Sequence, residues 1–126
     1  VIKSLESSML TANGEKLDFS KREKDTVLVD FWATWCRPCV HEIDAILAGE
    51  IKVPGHVQFI SLSIDEDTAS WNRFLSLAKM PWDQYRNHDP NLLNELNVQF
   101  IPHKILLDFT DSSLVADFPA ELVPEL

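Results

Sequence analysis

No apolar run in this sequence approaches the roughly 20 residues that a membrane-spanning helix needs. The opening residues Val1-Ile2-Lys3-Ser4 also lack the succession of charged, apolar and small residues that marks a secretory signal. Because the chain opens on Val rather than Met, a trimmed form is expected, and a signal or lipid anchor lost upstream would leave this same remnant. Contact with a membrane is therefore expected only through such a missing N-terminal anchor. Basic residues are scarce, 11 against 20 acidic ones, and the resulting net charge of -9 repels phosphate backbones and anionic lipid. That excludes nucleic acid as a partner class. Cysteine is scarcer still, with two residues, yet these stand three apart at Cys36 and Cys39. A purely structural staple across so short a loop would remove little entropy from the unfolded chain, so the spacing calls for another reason.

What is present is ordinary globular material: 126 residues, 45% apolar and 25% charged, enough for one domain over 1-126 with a core of its own. Asn13-Gly14 between short apolar stretches predicts an N-terminal β-hairpin over Met9 to Leu17. Thr26-Val27-Leu28-Val29-Asp30-Phe31-Trp32, rich in β-branched and aromatic residues without alternation, predicts a strand buried on both faces. Val40, Ile43, Ile46 and Leu47 recur at helical spacing up to Gly49, and Val57 to Ile64 predicts the next strand. Trp71, Phe74, Leu75 and Ala78 mark a second helix, with Asp65, Glu66 and Asp67 at its positive end and Met80-Pro81 closing it. Asp89 and Pro90 are expected to serve as N-cap and first residue of a short helix that stops by Asn97. Lys104 to Phe109 and Leu114 to Ala116 then form an antiparallel pair around the polar turn Thr110 to Ser113. The expected class is α/β: a central mixed sheet with helices on both faces, and with the cysteine pair at the C-terminal edge of its parallel part.

Two cysteines three apart at a helix start share a face and lie within disulfide reach. Cys36, at or before the first turn, meets free N-H groups and the positive end of the helix dipole, Arg37 adds charge, and Pro38 fits a first turn that needs no N-H. Lowering a thiol from about 8.5 to about 7 raises its thiolate fraction at neutral pH from roughly 3% to roughly 50%. Lost nucleophilicity leaves a net gain in attack of only about threefold, so better departure and a shifted redox poise matter more. Asp30 is the second signal. A carboxylate buried in an apolar strand should hold its proton more tightly, which suits a proton acceptor for Cys39; a strand-end Asp reaching solvent is the plainer alternative.

The stretch Val27-Leu28-Val29-Asp30-Phe31-Trp32-Ala33-Thr34-Trp35-Cys36-Arg37-Pro38-Cys39 resembles the active-site segment of thioredoxins, and the wider pattern from about Asn13 to Ala116 is nearer the TlpA and ResA kind. The resemblance implies a thioredoxin fold with a central insertion between Asp65 and Asp89. It makes Cys36 the exposed nucleophile and Cys39 the resolving thiol, with Trp35, Arg37 and Pro38 around them. It also implies a cis-proline at Pro102, a buried acid at Asp30 and a tuning acid at Glu42. The chain departs from the pattern at His103, where Thr or Ser usually follows the cis-proline, and at Ser61, where thioredoxins carry a lysine near the buried acid; the last hairpin also lacks its usual Gly.

The implied activity is thiol:disulfide exchange by a monomer. Its expected partners are protein thiols and disulfides and an upstream electron donor, with no cofactor and no metal. Reduction of extracytoplasmic, periplasmic disulfides leads, and a general cytoplasmic thioredoxin is the alternative. A zinc site using Cys36 and Cys39 would need His41, His103 or an acid to complete it, since no second cysteine pair exists. A non-catalytic docking module would have no use for the dithiol. Trp71, Trp82 and Tyr85 are expected in the core rather than in a partner groove.

Overall fold

The computed structural model describes residues 1-110 and, as backbone, Leu114–Phe118. In chain order the elements are α1 (Ile2–Ser8), β1 (Met9–Leu10), β2 (Thr26–Trp32), α2 (Arg37–Leu47), β3 (Val57–Ser63), α3 (Thr68–Ala78), β4 (Asp83–Asn87), α4 (Leu92–Glu95), β5 (His103–Asp108) and β6 (Leu114–Phe118), with a 3-10 turn at Phe19–Lys21 between β1 and β2. The six strands form one sheet in the order β1-β4-β3-β2-β5-β6. β2 runs parallel to β3, and β3 parallel to β4. β5 lies antiparallel to β2, β6 to β5 and β1 to β4. The sheet is mixed, as the sequence predicts, and six residues of β2 are buried because it lies at the centre with both faces covered.

Strand alternation sorts the core. Val27, Val29 and Phe31 pack with Ile60, Leu62, Ile105 and Leu107 toward Leu5 of α1 and Leu92 of α4. On the other face Trp32 packs with Cys39 and Ile43 of α2 and Trp71 of α3, while Leu28 packs with Phe59 and Leu106. Full burial of each such side chain contributes about 1.5–3 kcal/mol before its entropy cost. Trp71 is buried and Trp82 and Tyr85 partly so, against those core clusters.

Helix ends follow local chemistry. Asp67 caps α3, its carboxylate accepting from the Ala69 N–H at 3.0 Å, and Lys79 at φ 51 closes that helix ahead of Pro81. α2 ends at Ala48, followed by Gly49 at φ +77.

Two expectations are corrected, one is met in reduced form, and two elements are additional. The N-terminal β-hairpin is present in a short form: Leu10 and Lys16 make an antiparallel bridge, flanked by the Thr11 N–H donating to the Glu15 carbonyl at 2.8 Å and the Leu17 N–H to the Met9 carbonyl at 3.2 Å, while Met9 and Leu10 also pair with Asn87 and Arg86 of β4. α1 precedes it unannounced, and β4 occupies a polar stretch with no strand pattern. Asp89 and Pro90 lie ahead of α4 rather than in its cap and first turn: Asn91 is the N-cap, and the Asp89 carboxylate accepts from the Asn91 N–H at 2.9 Å. Asp65 is not a helix-end residue but a buried one at the end of β3. The turn at 111-113 and the tail from 119 lie outside the described residues.

Candidate active site

β2 runs out at Trp32, and the chain turns through Ala33, Thr34 and Trp35 before entering α2. The Cys36 N–H closes that turn on the Ala33 carbonyl at 3.1 Å. Asp65 holds the turn from below. Its carboxylate accepts from the Thr34 N–H at 3.1 Å, the Thr34 hydroxyl at 2.7 Å and the Ser63 hydroxyl at 2.5 Å. Three donors on one buried carboxylate make a charge-assisted clamp between β3 and the loop that presents the cysteines.

Cys36 is the N-cap of α2 and is joined to Cys39 by a disulfide, with their Cα atoms 5.3 Å apart. The Cys39 N–H donates to Cys36 Sγ at 3.4 Å, so a free amide of the first turn points at the sulfur that carries charge when the bond is open. Pro38 occupies the first turn and Arg37 is exposed beside the pair. Cys36 keeps 6% of its surface and Cys39 1%; in this disulfide form the expected exposed nucleophile is largely covered, and the remaining access is on its side. The Ile101–Pro102 peptide is cis, and Pro102 is buried at the start of β5. Trp35 and Phe100 stand out at 69% and 58% exposed, on the walls of an apolar groove of about 330 Å³ floored by Ile64, Leu93 and Ile101.

Asp30 is 1% exposed, which removes the strand-end alternative. Burial pushes its carboxyl up to about 7, opposed by the nearby Lys104 ammonium and reinforced by Glu42. Lys104 Nζ lies 3.4 Å from Asp30 Oδ1 and donates a short hydrogen bond to Glu42 Oε1. Glu42, three residues after Cys39 on α2, is thus brought into the same cluster as Asp30. Among the described residues no group of His, Cys, Asp and Glu side chains is arranged to hold a metal ion.

With this geometry in place, the comparisons decide the family. A family model described as thioredoxin-like matches residues 24-114. The chain belongs to the thioredoxin-like family. Thiol-disulfide oxidoreductase ResA of Halalkalibacterium halodurans is 26% identical over 97 residues, covering 75% of this thioredoxin-like chain and 54% of that protein. A solved thiol-disulfide oxidoreductase from Bacteroides fragilis matches with a TM-score of 0.66 at 25% identity, over 87% of this chain and 85% of that one. A secreted Mycobacterium tuberculosis disulfide oxidoreductase, described as homologous to E. coli DsbE, matches with a TM-score of 0.69 over 95% and 87% of the two chains; at 15% identity that likeness is one of fold. The chain spans about half the length of the curated ResA relative. Family and cysteine pair together make this a thioredoxin-like domain with its two cysteines bonded at the start of a helix, similar to thiol-disulfide oxidoreductases such as ResA.

Sequence reasoning passed over two residues of this thioredoxin-like site, Asp65 and Lys104. Lys104 sits in an apolar strand as Asp30 does, and opposite charges in two buried strands were a usable signal for an ion pair. The lysine expected from the position of Ser61 comes instead from the other side of β2: Asp30 pairs in register with Ser61 of β3 and with Lys104 of β5. The Ser61 hydroxyl accepts from the Trp82 indole N–H at 2.7 Å.

Proposed function

We propose that this domain, read as one unit over 1-126, reduces disulfides of extracytoplasmic proteins. Cys36 acts as attacking thiol, Cys39 as resolving thiol and Asp30 as the acceptor of the Cys39 proton. The observation that carries the reading is the pair itself, at the N-terminus of α2 with a helix amide on Cys36 Sγ and the apolar Trp35–Phe100 groove alongside. In the reaction Cys36 thiolate attacks one sulfur of the substrate disulfide and the other sulfur leaves as thiolate. Cys39, deprotonated, then attacks Cys36 Sγ, and the second substrate sulfur leaves. The substrate gains two electrons and takes up two protons, and the domain ends with the Cys36–Cys39 bond. A thiol-bearing electron donor must reopen that bond after each turnover. The uncharged groove suits an extended substrate segment with an apolar side chain near its cysteine.

Glu42 beside the buried acid supports the extracytoplasmic assignment through the resemblance to ResA-like proteins. Asp30 favours the second reading, a general thioredoxin, and the two differ in location and donor rather than in chemistry. Their shared chemistry is tested by trapping: Cys36→Ser abolishes exchange, whereas Cys39→Ser accumulates mixed disulfides with substrates. A Cys39→Ser protein that traps nothing overturns the assignment of the two thiols. Direction is tested by the reduction potential of the pair, followed by tryptophan fluorescence in a glutathione or dithiothreitol series. A value near or below about -270 mV fits a reductase, and one near about -120 mV replaces it with a disulfide donor.

A further inference from the structure

Away from the disulfide the molecule carries a second opening. The cysteines stand at the first turn of α2, past the end of β2; at the opposite end, the last turn of α2 and the starts of β3 and β4 enclose a cavity of about 570 Å³. Its apolar walls are Ile46 and Leu47 of α2, Val53 of the following loop, Phe59 of β3 and Trp82, with the Phe59 and Trp82 rings 5.2 Å apart. Ile46, Val53 and Trp82 pack on the cluster of Leu28, Phe59 and Leu106, so the cavity is the open flank of that cluster. Leu47 keeps 41% of its surface, and the Trp82 indole N–H is directed inward to Ser61.

The rim of this cavity is polarised. Gln58 gathers an acidic side: its Oε1 accepts from the Glu23 and Lys24 N–H groups at 2.8 and 3.1 Å, and its Nε2 donates to Asp83 Oδ2 at 3.4 Å. A basic side lies toward the loop after α2, where Lys24 Nζ donates to the Gly55 carbonyl at 2.7 Å on the same loop as Lys52. All four charged residues are exposed. Two cations and two anions thus surround one opening in a chain whose acids outnumber its bases 20 to 11.

We propose that this opening is a contact face for a second copy of the chain, joined about a two-fold axis so that the basic side of each copy meets the acidic side of the other, with Leu47 and Trp82 of both enclosed between them. The pairing does not depend on how the cysteines are read, and it replaces the monomer expected from the family resemblance. A two-fold contact is isologous, so the patch must complement itself. That requires both signs of charge, on opposite sides of an apolar centre, because a patch of one sign repels its own copy. The rim meets this condition. A net charge of -9 sets copies of the chain against each other on average, which leaves the balanced rim as a place where two can approach. A partner of one strong sign would lose on one side of the rim what it gained on the other. A small polar ligand would find side-chain groups already engaged: Gln58 with three rim groups, Lys24 with Gly55 and Trp82 with Ser61. Pairing here leaves both disulfides at the outer ends, with each Trp35–Phe100 groove open.

The test uses the full chain at about 0.15 M salt, where charges farther apart than roughly 8 Å are screened and touching ones are not. In sedimentation velocity the average mass of the parent rises from one chain toward two as concentration goes from micromolar to millimolar. In Lys24→Glu/Lys52→Glu both sides of the rim are acidic, and in Glu23→Lys/Asp83→Lys both are basic. The dissociation constant of each rises about tenfold or more, because like charges now meet. The second variant is closer to neutrality, so net charge alone would make it associate more, not less. Mixing the two variants restores pairing, now between unlike chains. A parent that stays single up to about 1 mM overturns the proposal. So do double variants that pair like the parent, which would place the contact elsewhere, and a mixture that stays single. Should a double variant not fold, Leu47→Lys decides: an ammonium in the apolar centre weakens pairing about tenfold, and undiminished pairing overturns the proposal.

Discussion

In Asp30→Asn an amide of nearly the same shape replaces a carboxyl that burial has pushed up to about 7 from 3.8. Between those two values the unfolded chain has Asp30 ionised while the folded chain keeps it protonated. The native state then holds one more proton, and stability falls as pH rises. The contribution is fully present below the unfolded value and is lost as pH climbs through the folded one. A gap of about 3 units at about 1.4 kcal/mol each makes this at most about 4 kcal/mol. The Asn variant has nothing to titrate there, and its Lys104 keeps Glu42. Its stability relative to the parent should therefore climb by up to about 4 kcal/mol between pH 4 and pH 8. Urea unfolding of the disulfide form at a series of pH values, followed by tryptophan fluorescence, measures that difference. A difference independent of pH refutes the argument, because it would mean that Asp30 titrates alike in both states.

Two further outcomes follow from the loop and the groove. Asp65→Ala strands the Thr34 N–H and the Ser63 hydroxyl, and should cost about 2–3 kcal/mol in urea unfolding, with Asp65→Asn costing less because one acceptor oxygen survives. Phe100→Ala should raise KM for a protein disulfide such as insulin about fivefold, about 1 kcal/mol, while reaction with a small aromatic disulfide stays unchanged. Equal loss on both substrates would show that Phe100 supports the cysteines rather than the client.

The central elements were legible because their burial is written in composition. β2 is apolar from Val27 to Trp32 but for Asp30, β5 carries the run Ile105-Leu106-Leu107, α2 and α3 carry apolar residues at helical spacing, and the cysteine spacing marks the join of strand and helix. α1 was not legible. Seven residues with no side-chain cap carry little local signal, and what places them is Leu5 inserting into the core near α4. β4, Asp-Gln-Tyr-Arg-Asn, has no apolar alternation because none of its residues is fully buried; it is a strand through its ladder to β3. Asp89 misled through a rule that is sound for helix starts: its carboxylate does cap an N–H, but in a turn one step ahead of the helix. Asp65 escaped because a charged residue just past a strand end does not disclose its depth, and Lys104 because, although its place beside an apolar run signalled burial, its pairing with Asp30 is fixed only by the register.

The two-residue strand β1 has a consequence beyond its size. Met9 and Leu10 lie along the outer side of β4, whose polar backbone would otherwise end the sheet. A version of the chain beginning at the 3-10 turn would keep the cysteines, the clamp and the buried charges, yet it would lengthen the bare edge of β4 by Arg86 and Asn87. It would also open the core where Leu5 and Met9 are both 0% exposed. Bare edges recruit other strands. The first ten residues, remote from the disulfide in sequence, therefore cover part of that edge, and trimming them should leave the domain more prone to pair edge to edge.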